Sequence, residues 1–124
     1  MSSWLERFLG RVPPPGMRPA IAVDDTGFSL AHDRQARAIP WPAIRKVAAY
    51  KQDLGTSDRI VLVFEVELSG DPFISVTEES PGFADLFGPM EQALGINPSW
   101  YFEMMTPAFA ATPVALYVRP DLVS

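Results

Sequence analysis

Side-chain catalysis needs ionisable groups brought together, and this chain carries few that could be. His32 is its only histidine, which excludes a two-histidine acid–base pair and a histidine-rich metal site. Cysteine is absent, so a thiolate zinc site, a cysteine nucleophile and any disulfide are excluded as well. Asp33 follows His32 and could orient its imidazole, but neighbours on a strand point to opposite faces, so a solvent-facing histidine is expected. A serine nucleophile would need that same histidine, and no serine motif accompanies it. Asp53 and Asp58 flank Gly55 without the alternating oxygen ligands of a calcium loop. Glu78-Glu79 stand just before Ser80, where a starting helix would favour negative charge. Gly82, Gly88 and Gly95 are spaced as helix punctuation, not as a phosphate-binding loop. No cofactor is expected.

Asp25-Thr26-Gly27 after an apolar strand is similar to the active-site segment of aspartic proteases, in which two facing aspartates share one proton. Asp24 occupies a place that is apolar in those enzymes, and Phe28 stands where they need a small residue. A hairpin turn is the expected reading, with Asp24 capping the bend and Gly27 accepting positive φ. A small hydrolase remains a function class to test, and it requires a cleft where ionisable groups converge at Asp25 or His32.

The elements that would position these residues follow from composition and periodicity. At 124 residues with 48 % apolar and 20 % charged side chains, the chain has the make-up of one globular domain. Thirteen prolines point to many punctuated segments. No apolar run approaches the ~20 residues that cross a bilayer, and Glu6 and Arg7 interrupt the N-terminal apolar cluster, so a cytoplasmic protein is expected. Net charge is −5 and unevenly placed: residues 1–51 carry eight basic and four acidic side chains, and residues 52–124 carry two and eleven. Such acidity argues against general nucleic-acid binding. Arg34, Arg37, Arg45, Lys46 and Lys51 form the one candidate anion or lipid patch, although scattered surface charge is the usual origin of such a set.

Residues 1–19 read as a short helix plus a proline-rich connector, and residues 20–124 as one α+β domain. Ser3 and Glu6 match a capping box, and Trp4, Leu5, Phe8 and Leu9 make one apolar stripe on a helix too short to stand alone. From Ala20 the period is two: Ile21 and Val23, then Phe28 and Leu30, then a short strand over Ala36–Ile39. Pro40 and Pro42 exclude a helix through Trp41, so a bend is expected with a strand resuming near Ile44. Ile60, Leu62, Phe64, Val66 and Leu68 face one way, while their alternates pass from Val61 and Val63 to Glu65 and Glu67, so one face is core throughout. Phe73–Thr77 returns as the partner strand. Ser80-Pro81 reads as a hydroxyl cap with proline at the first helical position, leading to a stripe of Phe83, Leu86, Phe87, Met90, Ala93 and Leu94. Pro89 predicts a kink or two short helices there. Asn97-Pro98 caps a further helix over Ser99–Met104, and Val114–Val118 is a last strand.

The segment Ile39, Trp41, Ile44 and Val47, followed by the long strand, its hairpin partner and the helix from Ser80, resembles bacterial pleckstrin-homology-like domains over roughly Ala20 to Leu94. The resemblance implies a bent antiparallel sheet or partly open barrel capped by a helix in the C-terminal half. It also implies a binding module for protein segments or lipid headgroups. Two function classes follow beside the hydrolase. One is a non-catalytic protein-interaction domain, of the immunity or antitoxin kind, with a protein partner or self-association through Trp4, Leu5, Phe8, Trp100, Tyr101, Phe102, Met105 and Phe109. The other is a peripheral membrane binder that uses the basic residues above, with Trp4 and Phe8 as anchors.

Overall fold

The period-two pattern from Ala20 becomes a three-stranded antiparallel sheet, β1 (Ala20–Val23), β2 (Gly27–His32) and β3 (Gln35–Pro40) in that order. The computed structural model describes residues 3–11, 18–53, 55, 58–105 and 113–122. The Ser3–Glu6 capping box, most of the proline-rich connector and Phe109 lie outside the described residues.

The β1–β2 turn is built by Asp24, whose Oδ1 accepts from the Thr26 amide at 2.8 Å, the Thr26 hydroxyl at 2.7 Å and the Gly27 amide at 3.1 Å. Gly27 has a different reason from the one expected. Its φ is not positive; a Cβ there would lie 2.2 Å from the Ile39 carbonyl oxygen. The constraint is a close approach of β2 to β3, not turn handedness. At the other end of β2, Asp33 and Arg34 have φ of 49° and 69°, the left-handed pair of a tight hairpin. Asp33 is therefore a turn residue, so the expected opposition of His32 and Asp33 across a strand does not arise. Their side chains meet at 3.2 Å, both exposed to solvent.

Pro40–Pro42 bends the chain as expected, but through one 3₁₀ turn over Trp41–Ala43 with Pro42 in its first positions. A short helical turn tolerates proline there because the first amides have no partner to lose. The chain then enters a second antiparallel sheet of β4 (Ile44–Asp53), β5 (Asp58–Val66), β6 (Phe73–Thr77) and β7 (Val114–Val118), ordered β6-β5-β4-β7. A register shift between Ile44 and Lys46 inserts Arg45 as an extra residue opposite Glu65. The bulge lets Arg45 and Lys46 reach the same carboxylate, at 3.2 and 3.4 Å.

Alternation along β5 divides the interior. Ile60, Leu62, Phe64 and Val66 enter the main core with Ile21, Phe28 and Ile39 of the first sheet and Trp41 of the 3₁₀ turn. That core is roofed by α2 (Phe83–Leu94), where Phe83, Leu86 and Met90 are buried and Phe87 is half-buried. Val61, Val63 and Ala48 point the other way, beneath Phe8 of α1 (Ser3–Arg11), with Trp4, Leu5, Leu9, Tyr50 and Phe73 around them. Two open antiparallel sheets and three helices make an α+β fold.

Helix α2 departs from the expected start. Ser80 does not cap it; its hydroxyl is buried with no hydrogen-bond partner among the described residues, and the cap position is Gly82, with φ of 87°. Pro89 does not divide α2 into two helices. It lies on the exposed face of the helix, as does Asp85, whose carbonyl its missing N–H would have bonded. The Asn97 cap forms as read, its Oδ1 accepting from the Ser99 amide at 2.9 Å before α3 (Trp100–Met105). Trp100 and Met104 join the main core. The second, smaller cluster lies under α1.

Candidate functional site: an acidic groove between the first strand and the long helix

β1 is an edge strand, and its outer side meets the start of α2. The Ile21 amide donates to the Pro81 carbonyl at 2.8 Å. Gly82 makes that approach feasible, since a Cβ at 82 would stand 2.2 Å from the Ile21 carbonyl oxygen. Main-chain groups alternate sides along a strand, so an outward Ile21 amide sets the Val23 N–H and C=O outward too. Neither bonds to any described backbone group.

Beyond Gly82 the helix and the strand enclose a groove of about 660 Å³, within the range of ligand-binding clefts. Trp41 and Ile21 contribute apolar surface to it, Pro89, Gln92 and Ala93 line the helix side, and Asp24, Asp25 and Asp85 bring three carboxylates and no basic residue. Asp24 uses only Oδ1 for its turn bonds. The Thr26 hydroxyl first, then the turn amides, hold its carboxyl below the ordinary 3.8, so it is an anion at neutral pH. Asp24, Asp25 and Asp85 form no ion pair with any described residue. The groove therefore offers negative charge, apolar surface and one unpaired main-chain donor and acceptor.

Glu78 and Glu79, by contrast, are committed internally. Glu78 accepts from the Ile60 amide at 2.6 Å and the Tyr101 hydroxyl at 3.1 Å. Glu79 binds Arg59 at 2.7 Å and Arg18 at 3.0 Å. Both glutamates are structural, but they latch β5, α3 and the approach to β1, not the start of α2. Arg119 donates to Glu67, Asp121 and the Pro42 carbonyl, which fastens the end of β7 to the corner where the first sheet meets the second.

The residues named from sequence as an interaction surface are separated by the fold. Phe8 and Trp100 are 3 % exposed and belong to the interior. Trp4, Leu5 and Tyr101 are half-buried against it, while Phe102 and Met105 are exposed. Trp100 also donates its indole N–H to Glu91 at 2.8 Å. The candidate basic patch is likewise divided. Arg34 and Arg37 lie on the β2–β3 hairpin, Arg37 donating to the Ser69 carbonyl at 3.1 Å. Arg45 and Lys46 share Glu65, and Lys46 also sits 5.5 Å from the Trp4 ring. Lys51 is half-buried near the far end of β4. A smaller opening of about 220 Å³ gathers Lys46 with Arg7 and Arg11 of α1, which the sequence reading had not joined to it. Trp4 and Phe8, named as membrane anchors, are turned onto the sheet.

The hydrolase geometry is not met at the named groups. His32 ends β2 and Asp25 lies in the turn before its start, so the strand's length of roughly 17 Å, at about 3.4 Å per residue, stands between them, and both are exposed. Among the described residues no three His, Asp or Glu side chains group as metal ligands, and no helix is long and apolar enough to cross a membrane. Sequence reasoning weighed Asp25 for catalysis and missed the groove, because Asp85 lies sixty residues downstream and tertiary contacts such as the Ile21–Pro81 bond bring the two elements together. The available signal was an edge strand ending in two aspartates. Compared with known proteins, the chain matches no family model, no curated protein and no solved structure.

Proposed function

We propose that this chain is a non-catalytic protein-interaction domain that receives a segment of a partner protein in the groove between β1 and α2. One observation carries the reading: a cleft of about 660 Å³ in which acids without ion pairs among the described residues surround an edge strand whose last residue makes no outward main-chain bond to any described backbone group. Such an edge is a template for another chain. Among the described residues that line it, the groove has acids but no histidine, serine or basic partner to activate them, which favours binding over chemistry. A pleckstrin-homology-like relationship, part of the same proposal, is compatible with a sheet-and-helix cleft used for protein segments, and an immunity-type role would use it to hold a partner.

An unbiased peptide library displayed and selected against the intact protein tests the proposal. Peptides that bind the wild type and are lost on Ala93→Trp, which places an indole in the groove from the exposed side of α2, support it. Selection that enriches nothing, or peptides indifferent to Ala93→Trp, would overturn it.

A further inference from the structure

We infer that the segment taken by this groove is an extended chain bearing lysine or arginine side chains, joined to Val23 by a two-bond main-chain bridge. This rests on the groove being the binding site and specifies the chemistry of its occupant. Three features of the cleft converge on that chemistry.

The first is charge. Asp24, Asp25 and Asp85 face one cavity with no basic side chain among its lining residues. In the bound state an acidic segment would be repelled by all three, whereas a basic one supplies the counter-charge the fold does not. Partial enclosure between helix and strand strengthens each such pair relative to open water, and a rim of one sign also accelerates encounter with the opposite one.

The second is the strand edge. The Ile21 amide is already used by Pro81, and the chain turns at Asp24. Only Val23 therefore presents an outward N–H and C=O, which fits a single bridge and not a long added strand. A helical segment could not make it, because its own main-chain groups are internally bonded. An extended segment can.

The third is spacing. In an extended chain, alternate side chains fall on one side, about 6.8 Å apart. A segment bridged at Val23 that runs along α2 places one row of side chains toward the carboxylates and the other toward the apolar surface of Trp41 and Pro89. The 12 residues of α2 span about 18 Å, enough for roughly five extended residues. The preferred occupant thus alternates basic and apolar side chains.

Capped five-residue peptides with lysine, glutamine or glutamate at alternate positions and valine between them are the probes. They are titrated into the intact ¹⁵N-labelled protein while the Val23 amide is followed. The lysine peptide is expected to bind at least tenfold tighter than the glutamate peptide, to shift the Val23 amide and slow its exchange, and to weaken with added salt. Asp25→Asn with Asp85→Asn is expected to weaken it about tenfold. Val23→Pro removes the outward N–H without removing a β1–β2 ladder bond. A lysine peptide N-methylated at its central residue makes the complementary cut with the protein unchanged, and both are expected to abolish the bridge. Equal binding of the lysine and glutamate peptides, an unperturbed Val23 amide, or full binding by the N-methylated peptide would overturn the inference. A concentration-dependent dimer abolished by Ala93→Trp would also overturn it, since the occupant would then be a second copy of this chain. Library selection that yields acidic or helical sequences still blocked by Ala93→Trp leaves the groove as the binding site and removes only this account of its occupant.

Discussion

Gly27→Ala isolates one close contact on which the first sheet depends. A Cβ at residue 27 lies 2.2 Å from the Ile39 oxygen, 2.7 Å from the Pro40 Cα and 2.9 Å from the Ile39 carbonyl carbon. All three are backbone atoms, so no side chain can swing aside. The register pairs Gly27 with Pro40 and Phe28 with Ile39. Because Gly27 turns its carbonyl toward Asp24, Gly27–Pro40 is a non-bonded pair, the kind in which Cα atoms approach most closely. Restoring ordinary contact requires β2 and β3 to part by about 1.2 Å. That stretches the bonds of the adjacent Phe28–Ile39 pair, whose residues are 3 % and 0 % exposed, and the bond from the Trp41 amide to the Thr26 oxygen, now 3.0 Å. Two or three backbone bonds at about 1 kcal/mol each, with strain added, give a loss of about 2–4 kcal/mol. The same substitution at Gly10 in α1, where nothing lies within 4 Å, should be neutral or stabilising by up to about 1 kcal/mol. Urea unfolding followed by circular dichroism and tryptophan fluorescence measures both, with the slope checked for constancy. A Gly27→Ala protein within about 0.5 kcal/mol of wild type, the usual scatter of surface changes, would refute the close-contact argument.

Three further outcomes are expected. Phe8→Ala removes the central side chain of the cluster formed with Ala48, Val61 and Val63 and should cost about 3 kcal/mol, the lower end of Phe→Ala losses; the urea midpoint measures it, and an unchanged midpoint would mean α1 does not hold that face. Asp24→Ala should lower the melting temperature at neutral pH, and the difference from wild type should vanish in acid. A carboxylate depressed in the folded state contributes fully above its ordinary 3.8 and is lost as pH falls through the lower folded value, so melting curves from pH 7 to 2 test the sign. Tyr50, Tyr101 and Tyr117 all have hydroxyl pKa values raised above 10, in each case first by burial. The unfolded chain then gives up these protons sooner, stability falls as pH rises through 10, and Tyr101→Phe should make that fall shallower in spectrophotometric titration with parallel melts.

Most of the local architecture was legible in the residues. The alternation over Ile60–Val66, the stripe of Phe83, Leu86 and Met90 and the Asn97 cap each have short-range causes, because period and capping chemistry act within one or two turns of chain. Composition also sufficed to exclude thiol, disulfide and two-histidine chemistry. Tertiary structure decided what depends on segments far apart in sequence. Gly27 was read for its φ, but its constraint comes from Ile39 across a strand pair. Ser80 was read as a cap, but the pairing of Pro81 with Ile21 leaves that role to Gly82. Trp4, Phe8 and Trp100 had the residue types of a contact surface, and only the packing of α1 and α3 turned Phe8 and Trp100 inward and pressed Trp4 against the sheet. The groove follows the same rule. Asp25 and Asp85 are each ordinary polar residues in their own segments, and they line one cavity because β1 and α2 meet edge to end, a contact that local periodicity does not encode.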